Sequence, residues 1–299
     1  MQMMTASSGL AKTSVSRVEG ISDLHETVDF LAIEEPLEIR LGLPDGGHKA
    51  ISITMRTPGD DAELAAGFLF TEGIITSPAQ IRQIRHCGLK IGKGGGTLDR
   101  ATALNSNTIQ VDLHPGADVD LKRLERHFYT TSSCGVCGKS SIEALATNVK
   151  ELSPNGLTVS RGLLNQLPEL LRRSQGIFDQ TGGLHASALF TADGTLDILR
   201  EDVGRHNALD KVIGAKFLAD ETPMSDRILL VSGRASFELV QKTLMVGIPI
   251  MAAVGAPSSL AVELAREFGM TLAGFVRDGR FNVYCGVERV SAENAAAES

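Results

Sequence analysis

The chain contains no tryptophan, and aromatic residues of all kinds make up 4% of it. Proteins that bind nucleic-acid strands stack bases on such rings, so a nucleic-acid platform is disfavoured. The formal net charge of -7 points the same way, because phosphate backbones attract a cationic excess. A local basic pocket stays compatible with that balance. No hydrophobic run is long enough to span a bilayer. The longest, residues 244–256, is short and holds Pro249. Residues 1–20 are Ser/Thr-rich without an apolar centre, unlike a secretory leader. The chain therefore reads as cytoplasmic, with neither membrane nor nucleic acid as partner. Cysteine is scarce as well, with four in 299 residues. Cytoplasmic thiols stay mostly reduced, so a disulfide framework is not expected.

What is present is an ordinary globular composition, 42% hydrophobic and 22% charged. The length suits one large domain or two smaller ones. Of the cysteines, Cys87 and Cys285 have no near partner and read as half-buried thiols. Cys134 and Cys137 form a Cys-Gly-Val-Cys pair framed by Ser132, Ser133, Gly135, Gly138, Lys139 and Ser140. Small neighbours leave the sulfurs open, and the nearby lysine favours thiolate over thiol. Such a pair serves as nucleophile, redox couple, metal ligand or sulfur carrier.

Hydrophobic patterning predicts two regions. Residues 1–20 and the Ala/Glu/Ser tail at 291–299 are expected to be disordered. Residues 21–126 read as a small α+β unit. In it, residues 38–41 and 50–55 alternate as strands around a Pro-Asp-Gly-Gly turn. Asp60 is expected to cap a helix, with Glu63 completing a capping box. Residues 108–113 alternate as a further strand. The Gly-rich run 92–96 contains Lys93 but no following Gly-Lys-Ser/Thr, so it reads as a loop rather than a phosphate-binding motif.

Residues 127–290 carry the cysteine pair and end in an α/β pattern. A helix is predicted over 163–175. Strands at 184–190 and 196–199 flank Asp193-Gly194, a hairpin signal. A helix over 207–218 leads to strands at 227–231, 249–254 and 271–276, with helices between them. That βαβαβ order implies a parallel sheet.

Ligands of such sheets bind outside the carboxyl ends of the strands. Two loops there, Ser232-Gly233-Arg234 and Gly255-Ala256-Pro257-Ser258-Ser259, are small, polar and helix-starting. They suit phosphate, although ordinary capped turns have the same composition. The run Phe275-Val276-Arg277-Asp278-Gly279-Arg280 reads as a hairpin with two flanking arginines, a plain tip or a clamp on an anion. The segment containing Asp202, Arg205, His206, Asp210 and Lys211 is rich in chemistry, as is His185. Helix capping and salt bridges account for that density equally well.

Zinc calls for three or four ligands, usually from two close pairs, and there is one pair here. A zinc deaminase carries His-x-Glu upstream of its cysteine pair. This chain has His185-Ala186-Ser187, with the pair upstream. A thioredoxin-like dithiol sits in a compact βαβ domain, which this chain does not repeat. A sulfur carrier needs an exposed thiolate and a pocket for the acceptor, and both are suggested.

Four motifs together resemble the formate dehydrogenase accessory sulfurtransferase family (FdhD/NarQ). They are residues 132–138 (Ser-Ser-Cys-Gly-Val-Cys-Gly), 181–186 (Thr-Gly-Gly-Leu-His-Ala), 201–211 (Glu-Asp-Val-Gly-Arg-His-Asn-Ala-Leu-Asp-Lys) and Ser232-Gly233-Arg234. Residues 64–75 match that family's first region, and the resemblance spans about 31–284. It implies an α/β fold, with a small N-terminal α+β domain joined to a cytidine-deaminase-like three-layer domain without zinc. It implies sulfur transfer from a cysteine desulfurase, as a persulfide on Cys134 with Cys137 as companion. The implied acceptor is the bis(molybdopterin guanine dinucleotide) molybdenum cofactor, which a guanine nucleotide would mimic, and the implied client is apo formate dehydrogenase. Residues 275–280 match the stretch assigned to cofactor binding, and Ser232, Gly233, Arg234, His185, Asp202 and His206 are the further candidates. No metal ligand and a homodimer are expected. A non-catalytic molybdenum-cofactor carrier is the competing role.

Overall fold

The computed structural model describes residues 9–21, 23–43, 46–87, 107–119, 149, 151–153 and 156–292. Cys134, Cys137 and the Gly-rich run 92–96 lie outside them.

The chain opens with β1 (Leu10–Glu19) and β2 (Asp23–Ala32), a long antiparallel hairpin in register from Leu10↔Ala32 to Glu19↔Asp23. This corrects the expectation of disorder for residues 10–19. Both strands are largely exposed, so no buried face announces them. Cross-strand pairing of Thr, Val and Ser positions forms the ladder instead. At the other end, Ser291 is also ordered. It belongs to β14 (Val290–Ser291), which pairs in parallel with β7 (Val159–Ser160).

The first region is a four-stranded sheet in the order β4-β3-β6-β5. Its strands are β3 (Glu35–Gly42), β4 (His48–Arg56), β5 (Ile81–His86) and β6 (Thr108–Leu113). Leu37, Ile39 and Leu41 alternate inward on β3, and Ile109, Val111 and Leu113 do so on β6. Helix α1 (Asp61–Thr71) covers that face with Leu64, Ala65 and Leu69. The expected capping box does not form. Asp60 takes a left-handed conformation without a side-chain cap bond. Glu63 instead accepts two hydrogen bonds from Arg200, at 2.6 and 2.8 Å.

The second region is a three-layer α/β/α unit, as expected. Its six strands run in the order β13-β12-β11-β10-β8-β9. They are β8 (His185–Phe190), β9 (Leu196–Asp202), β10 (Ile228–Val231), β11 (Ile250–Ala253), β12 (Thr271–Arg277) and β13 (Arg280–Cys285). The pairs β10–β11 and β11–β12 are parallel, as the βαβαβ pattern requires. Side chains on β10 alternate between the two faces. Ile228 and Leu230 join the cluster under α2 (Arg161–Ser174). Leu229 and Val231 join the cluster of α4 (Arg205–Leu218), α5 (Phe237–Met245) and α6 (Ser259–Glu267). A one-turn helix, α3 (Phe178–Thr181), follows α2.

The two regions meet backbone to backbone along α1 and α4. A Cβ on Gly67 would fall 1.9 Å from the Asp210 carbonyl oxygen, and one on Gly214 would fall 1.8 Å from that of Glu63. Glycine is what allows this approach. One helical turn on, Phe70 stacks on Phe217 with ring centroids 4.5 Å apart. Lys242 closes the seam, donating to Asp210 at 2.8 and 3.0 Å and to Thr71 at 2.7 Å.

Candidate functional site: a cleft at the strand ends

The carboxyl ends of β10, β11 and β12 are stitched into one rim. Gly255 donates its N–H to Gly233 at 2.9 Å, Ala235 to Ala256 at 3.2 Å, and Ser258 to Ala235 at 3.0 Å. Phe275 donates to Gly255 at 3.1 Å from a bulge in β12, with φ of 55°. That left-handed conformation is uncommon for a bulky residue. Bulges of this kind re-aim the side chains that follow. Asp278 and Gly279 then take φ of 54° and 70°, a tight turn of the type that closes two-residue hairpins. Arg277 and Arg280 face each other across it.

Against this rim lies a cleft of about 880 Å³, within the range of small-molecule sites. Of the residues singled out from sequence, His185, Ser232, Arg277, Asp278 and Gly279 line it. Gly233 supports it from behind, since a Cβ there would sit 3.2 Å from His185 Nδ1. Ser232 is locked to the start of β8, its Oγ accepting the Ala186 N–H at 2.8 Å. Arg234, on the adjoining loop, and Arg280, at the start of β13, are exposed. Burial, with the charges of Arg205 and His206, lowers the His185 pKa despite the opposing pull of Asp202. The imidazole is therefore neutral at pH 7, free to donate from one nitrogen and accept at the other.

Three sequence candidates sit elsewhere. Val276 is fully buried in the core beneath α2, so its side chain has no face toward the cleft. Asp202 is fully buried too. Its carboxylate accepts from Lys211 Nζ at 2.8 Å, Thr57 N at 3.1 Å, Gly204 N at 2.8 Å and Asn207 Nδ2 at 3.0 Å. With four donors around it, Asp202 braces the start of α4 against the first region and offers no ligand contact. Lys211 acts with it, donating also to the Thr57 carbonyl at 2.9 Å. His206 lies at the start of α4, its Nε2 3.4 Å from Ser236 Oγ and 3.6 Å from Glu238 Oε2. The neighbouring His206 imidazole is the chief reason the Glu238 carboxyl is pushed down to about 2. His206 thus reaches His185 through its field rather than by lining the cleft.

The helical part of the opposite wall escaped sequence reading. It is built by Asn165, Arg172, Gln175 and Phe178 of α2, α3 and their junction, with Gly182 and Gly183 beyond. The Arg172 guanidinium lies 4.4 Å over the Phe178 ring. In the sequence α2 reads as an amphipathic helix, with Leu164, Leu167 and Leu171 inward. Nothing local marks its polar flank as the side of a cleft. Among the described residues no three His, Cys, Asp or Glu side chains converge as a metal-ligand set.

Comparison with known proteins agrees over nearly the whole chain. Residues 32–291 match the model of the FdhD/NarQ family. The Streptomyces coelicolor protein named sulfur carrier protein FdhD is 49% identical, covering 90% of this chain and 92% of that one. Its namesake from Mycolicibacterium paratuberculosis is 51% identical, covering 88% and 92%. A solved chain from Desulfotalea psychrophila, described as a candidate formate dehydrogenase accessory protein, shares the fold. It has a TM-score of 0.67 at 24% identity and covers 95% of this chain and 100% of that one. The extent of the match and the identity of the relatives place this chain in the FdhD/NarQ family.

Proposed function

We propose that this protein is a sulfurtransferase that carries sulfur as a persulfide on Cys134 and delivers it to the bis(molybdopterin guanine dinucleotide) form of the molybdenum cofactor. The cofactor is thereby prepared for formate dehydrogenase. The observation that carries this reading is the family match across residues 32–291, with relatives named sulfur carrier proteins at about half identity. The cleft supports it on physical grounds. Its volume of about 880 Å³ suits a nucleotide-sized group. Arg277 supplies a forked cation for a pyrophosphate. A neutral His185 and the strand-end loops add hydrogen-bonding groups without negative charge.

Chemically, the Cys134 thiolate attacks the outer sulfur of a cysteine desulfurase persulfide. The donor's S–S bond breaks, its cysteine leaves as thiolate, and Cys134 carries the extra sulfur. Release follows by one of two routes. In the first, the outer sulfur passes to the acceptor as its bond to Cys134 breaks, Cys134 leaving as thiolate and the acceptor supplying the two electrons; in the second, Cys137 attacks Cys134 and expels sulfide while a Cys134–Cys137 disulfide closes. In the second route the two thiols are oxidised by two electrons and the sulfane sulfur is reduced by two, so the step balances.

The test is intact-protein mass spectrometry after incubation with a cysteine desulfurase and cysteine. Wild type is expected to gain one reducible sulfur, and Cys134→Ala to gain none. Cys137→Ala distinguishes the release routes, since the second requires its thiol. No gain in any variant would overturn the proposal in favour of a non-catalytic cofactor carrier.

A further inference from the structure

Strand β12 carries one residue more than its partner along part of the ladder. Gly274 pairs with Asn282 and Arg277 with Arg280, so Phe275 and Val276 together face Phe281 alone. Two residues opposite one make a β-bulge. The bulge reverses the faces beyond it. Ala273 and Val276, three apart, belong on opposite faces of a regular strand, yet both join the cluster under α2. The first bulge residue, Phe275, holds φ at 55°, a conformation for which glycine is the usual choice at that position. A Cβ makes it strained, and strain of this kind gathers at functional positions. Neither the backbone nor the core accounts for phenylalanine here. The N–H bond to Gly255 at 3.1 Å needs no side chain. Among the described residues, the half-buried ring joins none of the three apolar clusters. What lies over the ring is Arg277, its guanidinium carbon 5.8 Å from the centroid.

We propose that Phe275 is a positioning residue, which acts on an anionic ligand through Arg277 and touches none itself. The role rests on the anionic acceptor inferred above. Beside the ring stands a competitor for the guanidinium. Asp278 Oδ2 is 3.9 Å from Arg277 Nε, at the limit of an ion pair, and both residues are exposed at the edge of the cleft. An arginine closed onto that carboxylate would present a neutral pair to a ligand. A cation is drawn to the face of an aromatic ring, and a guanidinium resting on that face keeps its N–H edge for a forked contact. Glycine at position 275 would relax the backbone and lose this support, which is why the strained residue is aromatic.

The experiment is calorimetric titration of the full chain with inorganic pyrophosphate. Wild type, Phe275→Tyr, Phe275→Asn, Phe275→Leu and Arg277→Ala are compared with the double variant Phe275→Asn/Arg277→Ala. Sulfur gain at Cys134 is measured on the same samples. Asparagine tolerates the left-handed backbone and removes the ring, whereas leucine keeps apolar bulk without a π face. Both are expected to weaken pyrophosphate about threefold to fivefold, the effect of an exposed cation–π contact. Phe275→Tyr is expected to bind as wild type does. Arg277→Ala is expected to weaken pyrophosphate about tenfold. In the Arg277→Ala background, Phe275→Asn is expected to change nothing further, because its effect runs through the guanidinium. Phe275→Leu carries the test should Phe275→Asn fold poorly. A loss from Phe275→Asn as large without Arg277 as with it would reveal a structural role and overturn the assignment. So would unchanged affinity in both variants lacking the ring, or failure of pyrophosphate to bind wild type. In each of those cases the sulfur gain separately decides the sulfurtransferase reading.

Discussion

Replacing Gly67 by alanine tests whether the two regions are held by a glycine-to-glycine helix crossing. The new Cβ would lie 1.9 Å from the Asp210 carbonyl oxygen and within 2.8 Å of the Gly214 nitrogen. Both obstacles are backbone in the middle of a helix, so neither can swing aside as a flexible side chain would. To restore an ordinary contact, α1 and α4 must part by about 1.5 Å, and a gap of half to one ångström already forfeits a quarter to a half of each dispersion contact. The Phe70–Phe217 stack and the Lys242–Asp210–Thr71 seam lie along the same crossing. Overpacking usually costs about 1–3 kcal/mol, and a rigid clash places Gly67→Ala at about 3 kcal/mol. For a chain of this size that is a fall of roughly 5–10 °C in the melting midpoint. Gly214→Ala meets the Glu63 carbonyl at 1.8 Å and is expected to cost as much. The double variant is expected to cost less than the sum, because helices already parted meet no second clash. Gly176→Ala is the control. Nothing lies within 4 Å of its Cβ position, and it should shift stability by less than about 0.5 kcal/mol. Thermal unfolding followed by circular dichroism reads all four. A Gly67→Ala protein that melts with wild type would refute the close crossing.

The buried pair predicts an order of costs. Asp202→Ala strands the Lys211 cation and three N–H donors and is expected to cost about 3–5 kcal/mol. Lys211→Met leaves the carboxylate with those three donors and should cost less, both read as urea midpoints. For His185, burial lowers the folded pKa below 6.5, so the unfolded chain binds a proton more readily. Stability is therefore lost as pH falls below 6.5 toward that lowered value. His185→Gln should flatten this limb, and NMR titration of the imidazole should find its midpoint under 6.5. For Glu238, lowered to about 2 by His206, the stabilisation is present above about 4.5 and lost as pH falls toward 2. His206→Ala should raise the carboxyl midpoint seen by NMR, and an unmoved midpoint would refute that pairing.

Local pattern carried much of the architecture. The parallel βαβαβ unit was legible because strands β10 and β11 are continuous apolar runs ended by small polar turns. The Asp278-Gly279 turn was legible because few residues other than glycine, asparagine and aspartate accept positive φ. The terminal hairpin was not, since strands stabilised by pairing alone leave no buried stripe. The capping box failed because Arg200, distant in sequence, competes for Glu63. Strand β5 was missed for a related reason. It pairs at the edge of a sheet, and its Arg82, Gln83 and Arg85 positions carry weak alternation.

The cleft divides the same way. Arg277, Ser232 and His185 were visible because each follows or begins a recognisable strand end, where parallel sheets place ligands. Asp202 looked equally chemical, but whether a carboxylate faces solvent or four donors depends on what folds over it. Asn165 and Gln175 looked like the polar flank of an ordinary helix. Sequence determined the βαβαβ unit, the Asp278-Gly279 turn and the family, because these follow from periodicity and from motifs along the chain. Tertiary structure alone decided which charges are buried and which two helices touch, and it set the α2 wall of the cleft across from the arginine turn. Burial and hydrogen-bond satisfaction are set by neighbours brought together from far apart in the chain.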